Sequence, residues 1–283
     1  MSTDNTALDQ PRPGSRLSPL LAHASEWPWW LIVAILIALV IAFQIATNAR
    51  TNIIFYAVAE GIQVTILVSL SSYALALCIG LFVGLARVSA NKIIFNLAAF
   101  YVEVVRGVPI LVLLLYISFV GVPGIVGGIN GLGDLLNLGF LQGVSTRSVN
   151  FTLRVIVGLG VAYGAFEAEI FRAGIQSIEK GQMEAARSMG MNYVQAMRYV
   201  ILPQAIRRVL PALGNDFIAM VKDSSLVSVL GVRDITQLTK LYAASTFLFF
   251  QAYSILAFIY LFMTILLTRG VRAIEARLSR YRN

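Results

Sequence analysis

The sequence has very little of the chemistry on which enzymes and metal sites depend. Its 283 residues include one cysteine, Cys78, and one histidine, His23. The single cysteine excludes an internal disulfide, and a histidine confined to the N-terminal tail leaves no Ser-His-Asp or Cys-His catalytic set and no zinc cluster to assemble. The chain also lacks a GxxxxGK[ST] string, the phosphate cradle of many ATPases. We therefore predict a chain that is not an enzyme and that holds no metal or cofactor of its own.

Charge is scarce as well, and apolar residues are abundant. Charged residues make up 13% of the chain and apolar residues 58%, whereas soluble proteins contain about 25% and about 45–50%. A helix needs about 20 apolar residues to cross a bilayer, and six segments approach this length. These predicted spans are residues 29–47, 61–86, 95–120, 151–171, 206–221 and 247–268. The glycine-rich residues 121–150 are expected to form an external loop, and the short stretch 224–232 a re-entrant or interfacial piece.

The basic residues are distributed unevenly between the loops. The net charge of +8 would suggest a nucleic-acid partner for a soluble protein, but in a membrane protein such an excess usually sets orientation. When the loops are assigned alternately to two sides, most lysines and arginines accompany the two termini and the loop from Arg172 to Arg208. The positive-inside rule makes that side cytoplasmic. Residues 1–26 are then a polar cytosolic tail, residues 271–283 a basic cytosolic tail, and no nucleic acid is expected to bind.

The long predicted cytoplasmic loop carries the most specific pattern in the chain. Residues 181–203 read GQMEAARSMGMNYVQAMRYVILP, which is typical of two short helices on either side of a glycine. Glu184 is expected in the first turn of the first helix, where a carboxylate favours the helix dipole. Ala185 and Ala186 are expected to leave a smooth surface against which another protein can pack. Gly190 suits the left-handed position that ends a helix.

The second half of this loop contains the signals that start a new helix. Asn192 and Gln195 have the spacing of a capping box, and Pro203 marks the beginning of the fifth span. The whole pattern resembles the EAA loop of bacterial ABC importer permeases: Glu-Ala-Ala, three residues, Gly, nine residues, Ile, one residue and Leu-Pro. Here Val200 replaces the isoleucine. The residues that match are Glu184, Ala185, Ala186, Gly190, Leu202 and Pro203.

The resemblance covers most of the chain from about residue 60 and is to the polar amino acid uptake branch of these permeases. Its further landmarks are GIQVTIL from Gly61, YVEVVRGVP from Tyr101, EIFRAGIQ from Glu169, LPQA from Leu202 and KDSSL from Lys222. It implies an all-α type I ABC importer transmembrane domain with a five-helix core over residues 51–270. Within this domain, residues 178–203 form the coupling loop, here called the EAA loop. Residues 27–50 are then an extra N-terminal transmembrane helix.

The same resemblance implies partners and an energy source. The permease is expected to work with a second copy or a homologous permease, a substrate-binding protein, and two ABC ATPase subunits that bind ATP and Mg²⁺. Surrounded by lipid of the bacterial inner membrane, it would import polar amino acids by alternating access. The amino acid that is carried cannot be read from the sequence. The expected coupling residues on the EAA loop are Glu184, Ala185, Ala186, Gly190, Leu202 and Pro203.

Charged residues inside apolar spans cost about 2.5 kcal/mol or more each, so they are usually paired or functional. Glu103 and Arg106 lie three residues apart in the third predicted span, close enough on one helix face to neutralise each other. Glu169 and Arg172 have the same spacing near the inner end of the fourth span, whereas Glu167 points elsewhere. Glu103, Arg106, Glu167 and Glu169 are therefore candidates for a substrate path. The alternative is a structural ion pair for Glu103 and Arg106, and a structural or gating role for Glu167 and Glu169.

Further polar and small residues lie within the predicted spans. Asn215 and Asp216 are well inside the fifth span, with no cation at helical spacing except Lys222 beyond its end. Asp216 suits the α-amino group of a substrate, and it suits a partner residue on another helix equally well. Gly80 and Gly84 have the small-xxx-small spacing that predicts close helix packing.

Two other functions compete with the importer interpretation. An ion-coupled secondary amino acid carrier that acts without an ATPase usually shows an inverted repeat with paired broken helices, and the sequence has no such internal symmetry. A permease of another ABC importer branch, such as one for methionine or an inorganic anion, is the other alternative. The segments YVEVVRGVP and KDSSL resemble the polar amino acid branch instead.

Overall fold

The structure, a computed structural model, describes residues 29–139, 143 and 145–279, and it contains no strand over these residues. The predicted polar tail 1–26 and the last four residues of the basic tail lie outside this part. Two π-helices, Ile117–Gly121 and Met197–Ile201, and two 3-10 helices, Thr146–Ser148 and Ser224–Leu230, lie between or within the α-helices. The α-helices are α1 Trp29–Thr47, α2 Ala49–Ala59, α3 Ile62–Ala86, α4 Lys92–Gly107, α5 Ile110–Tyr116, α6 Val122–Leu135, α7 Phe151–Gln176, α8 Lys180–Ser188, α9 Tyr193–Ala196, α10 Leu202–Asp223, α11 Ile235–Thr246 and α12 Phe249–Ser279.

Four segments are long and apolar enough to cross a bilayer: Ala49–Ala86, Ile110–Leu135, Phe151–Gln176 and Phe249–Arg277. Helix α1, the first predicted span, contains a shorter apolar stretch. The fifth predicted span, residues 206–221, lies within α10, a helix that also contains charged residues and an internal proline. The chain is therefore an all-α membrane protein, as its composition predicts.

Helices α3 and α7 form the most extensive helix–helix contact in the described bundle. A β-carbon added to Gly80 would lie 2.4 Å from the β-carbon of Glu167, and one added to Gly84 would lie 2.8 Å from that of Phe171. Apolar side chains gain little from leaving lipid, so helices in a membrane associate mainly through van der Waals packing of closely approaching backbones. The small-xxx-small prediction is therefore confirmed, and its partner is α7.

Two apolar clusters attach the other helices to this pair. The first joins α3, α5 and α7 through buried residues that include Val68, Leu114 and Leu159. The second joins α2, α11 and α12 through residues that include Ile54 and Ile255. Helix α7 is buried along most of its length, so the side chains that it carries are held on several sides.

The prediction of residues 95–120 as a single span is wrong. Helix α4 ends at Gly107, Val108 is extended with φ −108° and ψ 135°, and α5 begins after Pro109. Proline has no amide hydrogen for a continuing helix, and it pushes the preceding residue out of helical backbone angles. The spanning segment is instead Ile110–Leu135, formed by α5, the first π-helix and α6.

The prediction of an external loop over residues 121–150 is wrong in its first half, because α6 continues the preceding helix to Leu135. The glycines in this segment suggested turns. Glycine is, however, frequent in transmembrane helices, where the backbone must satisfy its hydrogen bonds internally.

The chain after α10 folds back into the bundle. Ser224–Leu230 is a short 3-10 helix with Val227 and Leu230 buried, consistent with the prediction of a piece too short to cross. Gly231 ends it in the left-handed conformation, with φ 75°. Helix α11 follows, an element that the sequence analysis did not predict.

We expect substitution of Gly80 by alanine to destabilise the bundle by about 1–3 kcal/mol, because the new methyl group overpacks the contact with α7. Gly124→Ala is the matched control, since a β-carbon there meets no atom within 4 Å and alanine is the better helix former. Thermal melts of the detergent-purified variants should show a lower midpoint for Gly80→Ala only. Equal midpoints would contradict the packing described for Gly80.

Candidate functional site

The first helix of the EAA loop begins earlier than predicted. Helix α8 starts at Lys180, so Glu184 is its fifth residue and lies in the second turn. The prediction that Glu184 occupies the first turn is therefore wrong. The residue before the helix, Glu179, makes no side-chain capping bond, so the sequence carries no capping signal for this start. Glu184 and Ala185 are exposed to solvent.

Helix α8 ends in a Schellman motif. Gly190 has φ 86°, the left-handed conformation that glycine adopts without a steric penalty. Its amide donates a hydrogen bond of 3.0 Å to the Arg187 carbonyl, and the amide of Met191 donates one of 3.2 Å to the Ala186 carbonyl. These two bonds satisfy carbonyl groups that would otherwise have no partner at the helix end. The predicted conformation of Gly190 is confirmed.

A complete capping box starts the next helix. The Asn192 side chain accepts a hydrogen bond of 2.9 Å from the Gln195 amide, and the Gln195 side chain accepts one of 2.9 Å from the Asn192 amide. Helix α9 then continues through the second π-helix into α10, whose first two residues are Leu202 and Pro203. The predicted capping box and the predicted position of Pro203 near the start of the next long helix are both confirmed. The ends of the two short helices are therefore held by hydrogen bonds.

An apolar cluster attaches the EAA loop to the ends of the long helices. Its buried members include Ile178, Ile201 and Ala205, with Met197 packed against them. Ala186 is only 6% exposed, so the prediction that Ala185 and Ala186 together present an outer surface is wrong for Ala186. Successive side chains point about 100° apart along a helix, so Ala186 faces this cluster while Ala185 faces away from it.

The predicted pair of Glu103 and Arg106 is not formed. The Glu103 carboxylate lies 3.9 Å from the Arg87 guanidinium at the end of α3, while the Arg106 guanidinium stacks over the Phe166 ring at 5.4 Å. Glu103 is 76% exposed, so its ion pair contributes little to stability. Spacing along one helix placed the two residues near each other, but side chains from α3 and α7 provide other partners.

Arg87 joins three helices near the same end of the bundle. Its side chain is only 12% exposed and lies 3.5 Å from the Glu169 carboxylate on α7, and it also stacks over Phe95 of α4 at 5.5 Å. Glu169 in turn pairs with Arg172, as its spacing predicts. The local sequence gives no signal that Arg87 contacts two other helices.

Glu167 differs from the other candidate carboxylates in its burial. It is completely buried, and neither carboxylate oxygen has a hydrogen-bond partner in the described part of the chain. Asp216 on α10 is close enough to interact with it electrostatically. The Tyr73 hydroxyl on α3 also lies near Glu167, but it donates its hydrogen to the Leu213 carbonyl instead. Buried polar groups normally have a partner, so an unpartnered one calls for a functional explanation. The prediction that Glu167 points away from Glu169 and Arg172 is confirmed.

Aromatic and polar groups surround this carboxylate pair. The Tyr73 hydroxyl donates to the Leu213 carbonyl at 2.5 Å, and the Tyr163 hydroxyl donates to Asp223 at 2.8 Å. Asp216 is partly buried, whereas its neighbour Asn215 is exposed. The structure thus brings Glu167 and Asp216 together but leaves Asn215 outside their contact. Tyr73 and Tyr163 were not predicted, since a tyrosine in an apolar run is usually a packing residue.

Arg154 is another residue whose role was not predicted from the sequence. It is 8% exposed, and its guanidinium donates to the carbonyls of Ser118 at 3.0 Å, Thr146 at 2.6 Å and Val149 at 2.8 Å. It also stacks over the Phe151 ring at 4.8 Å. Arg154 therefore fastens the segment before α7 to the first π-helix.

The predicted site residues form two groups. The EAA loop follows the C-terminal end of α7, and Glu167 lies nine residues before that end at Gln176, which is about 14 Å along the helix axis. Glu103, Arg87 and Glu169 make up the ion network between the two groups. The arrangement places a structured surface loop at one end of a rigid helix and an unpartnered acidic pair inside the bundle.

Comparison with known proteins gives consistent matches. A family model described as a binding-protein-dependent transport system inner membrane component matches residues 76–280. A probable glutamine ABC transporter permease protein of Bacillus subtilis is 38% identical over 221 residues, which are 78% of this chain and 93% of the relative. The glutamine transport system permease protein of Escherichia coli K12 is 35% identical over 220 residues, with 78% and 92% covered.

Solved structures agree with these matches. The crystal structure of an amino acid ABC transporter with histidines is similar with a TM-score of 0.63 and 37% identity, and the alignment covers 78% of this chain and 94% of that one. An inward-facing methionine ABC transporter has a TM-score of 0.60 at 20% identity, with 79% and 96% covered. At 20% identity, the similarity to the methionine transporter shows a shared fold and nothing more.

We expect Gly190→Ala to loosen the EAA loop, because alanine in the left-handed conformation costs about 1–2 kcal/mol. Gly181→Ala is the matched control: this glycine also has no atom near an added β-carbon, but it has no positive φ. Hydrogen–deuterium exchange should be faster at residues 184–191 in Gly190→Ala and unchanged or slower in Gly181→Ala. Similar exchange in both variants would contradict the structural role of Gly190.

Proposed function

The chain belongs to the family of binding-protein-dependent transport system inner membrane components, the permease subunits of ABC importers, and from this membership we propose that it imports polar amino acids. The named relatives are glutamine permeases at 35–38% identity over 78% of the chain, and they support this substrate class. The structural observation that carries the proposal is the pair of carboxylates Glu167 and Asp216, of which Glu167 is completely buried and has no hydrogen-bond partner among the described residues. The membership also favours an ATP-driven permease over the ion-coupled carrier considered above.

We propose that the EAA loop transmits movement from two ABC ATPase subunits, which bind ATP and Mg²⁺. Support comes from its geometry: the Schellman motif and the capping box hold α8 and α9 in shape, and Glu184 and Ala185 are exposed on it. A rigid pair of short helices that seats in a cleft moves with the partner, so ATPase closure would rock the long helices as bodies. Gly190, Leu202 and Pro203 would act by shaping the loop, and Ala186 by holding it to the bundle.

The substrate path is proposed to run past Glu167 and Asp216. The two carboxylates interact electrostatically, and one of them is buried without a hydrogen bond. Such a pair is unfavourable in the protein alone, and a positively charged group bound between the carboxylates would stabilise it. The α-ammonium of an amino acid is such a group. Glu103 and Glu169 already have arginine partners, which leaves them structural roles.

Further features of the complex are proposed on the same basis. The permease would pair with a second copy or a homologous permease and receive substrate from a substrate-binding protein. Both termini would be cytoplasmic, since the basic residues accompany them and the EAA loop. In that orientation Arg154 lies on the outer side, where it would hold the segment around Thr146 and Val149 in place for the binding protein.

We expect Glu184→Lys to abolish transport while leaving membrane insertion intact, because it reverses the charge on the exposed face of α8. Glu179→Lys makes the same change just before the helix and should retain most activity. Both variants should be assayed for co-purification of the ATPase and for ATP-dependent uptake in vesicles. Normal uptake by Glu184→Lys, or equal loss in both variants, would count against the coupling surface.

We expect Glu167→Gln and Asp216→Asn each to weaken substrate binding about ten- to hundredfold, as loss of a charge-assisted hydrogen bond of about 1.5–3 kcal/mol predicts. Glu60→Gln, which removes an exposed carboxylate between α2 and α3, is the control. Uptake of labelled glutamine and arginine, measured with the intact complex, gives the KM of each variant. Unchanged KM values in assembled complexes would disprove the proposed path.

A further inference from the structure

A groove of about 340 Å³ separates the extra N-terminal helix α1 from the rest of the bundle. Its walls come from α1, from Thr51 at the start of α2, and from the first turns of α12. Helix α1 itself is largely exposed and precedes residues 76–280, the region that matches the family model. One wall of the groove, α1, thus lies before the region that matches the family model, and the opposite wall, α12, lies within that region.

The lining of the groove changes from apolar to polar in one direction. Leu36 and Val40 line it near the middle of α1, and Gln44 lines it three residues before that helix ends at Thr47. From α12 it receives Gln251, the third residue of that helix. The two amides thus lie where α1 ends and α12 begins, beside Phe250, and the lining further from these helix ends is apolar apart from Ser254.

The polar side chains in the groove have no hydrogen-bond partners among the described residues. No side-chain hydrogen bond is formed by Gln44, Gln251 or Ser254, although all three line the groove. Gln44 is exposed and Gln251 is partly exposed, so both amides are open to hydrogen bonds with a molecule outside the protein. These groups therefore call for an occupant that is apolar along most of its length and offers hydrogen-bonding atoms at one end.

We propose that this groove binds a phospholipid. One acyl chain lies along Leu36 and Val40, and the glycerol ester oxygens accept hydrogen bonds from the amides of Gln44 and Gln251. Arg50, exposed in the first turn of α2 beside the groove residue Thr51, supplies a cation for the phosphate group. In the orientation proposed above, the lipid belongs to the outer leaflet. It would fill the space between α1 and α12 and hold the extra helix to the bundle.

Native mass spectrometry of the full-length permease complex, equilibrated with 1-palmitoyl-2-oleoyl phosphatidylglycerol, tests the site. Val40→Trp places an indole ring in the groove and should lower the lipid-bound fraction at least about fivefold, because the ring occupies the volume that the chain needs. The matched control is Leu39→Trp, since Leu39 is 59% exposed and does not line the groove. This control should bind lipid as the unchanged chain does.

A double substitution, Gln44→Leu with Gln251→Leu, keeps the test decisive if the tryptophan variant does not assemble. Loss of two hydrogen bonds worth about 1 kcal/mol each predicts about thirtyfold weaker binding. Equal binding by the double variant and the unchanged chain would overturn the proposal. So would an efficient disulfide between two copies carrying Cys78→Ser and Val40→Cys, because a second chain would then occupy the groove.

Discussion

The close contact between α3 and α7 is the constraint on which the other features depend. Gly80 and Gly84 let the two backbones approach until the glycines touch the β-carbons of Glu167 and Phe171. The same approach seals Glu167 away from solvent and from its charged neighbours along the helix. Because α7 is held on several sides, it can also carry the EAA loop at its end and the Arg154 attachment at its start. An unfavourable buried carboxylate is thus fixed in place by the most extensive helix contact among the described residues.

Features decided by a few neighbouring residues could be predicted from the sequence. The left-handed glycine at position 190, the capping box from Asn192 to Gln195 and the pairing of Glu169 with Arg172 all follow from local geometry. The membrane class followed from composition, and the family followed from the spacing of the EAA residues, which is a wider but still sequential pattern.

Features decided by contacts between helices could not be predicted in this way. Glu103 and Arg106 share a helix face, yet Arg87 and Phe166 from other helices become their partners. Ala186 turned inward because an apolar cluster lies beneath α8. The break at Pro109 did carry a local signal, but the surrounding apolar run obscured it. The unpartnered state of Glu167 depends on three helices and has no sequential signature.

The internally satisfied ends of α8 and α9 have a mechanical consequence. A loop whose terminal carbonyls and amides are already bonded to each other can be displaced as a unit, since no backbone hydrogen bond has to break first. A force on the exposed face of α8 then moves the whole loop and does not unwind its short helices. In the coupling proposed for this loop, that movement would reach α10 through the second π-helix, and Asp216 lies roughly 20 Å along α10 from its start at 1.5 Å per residue.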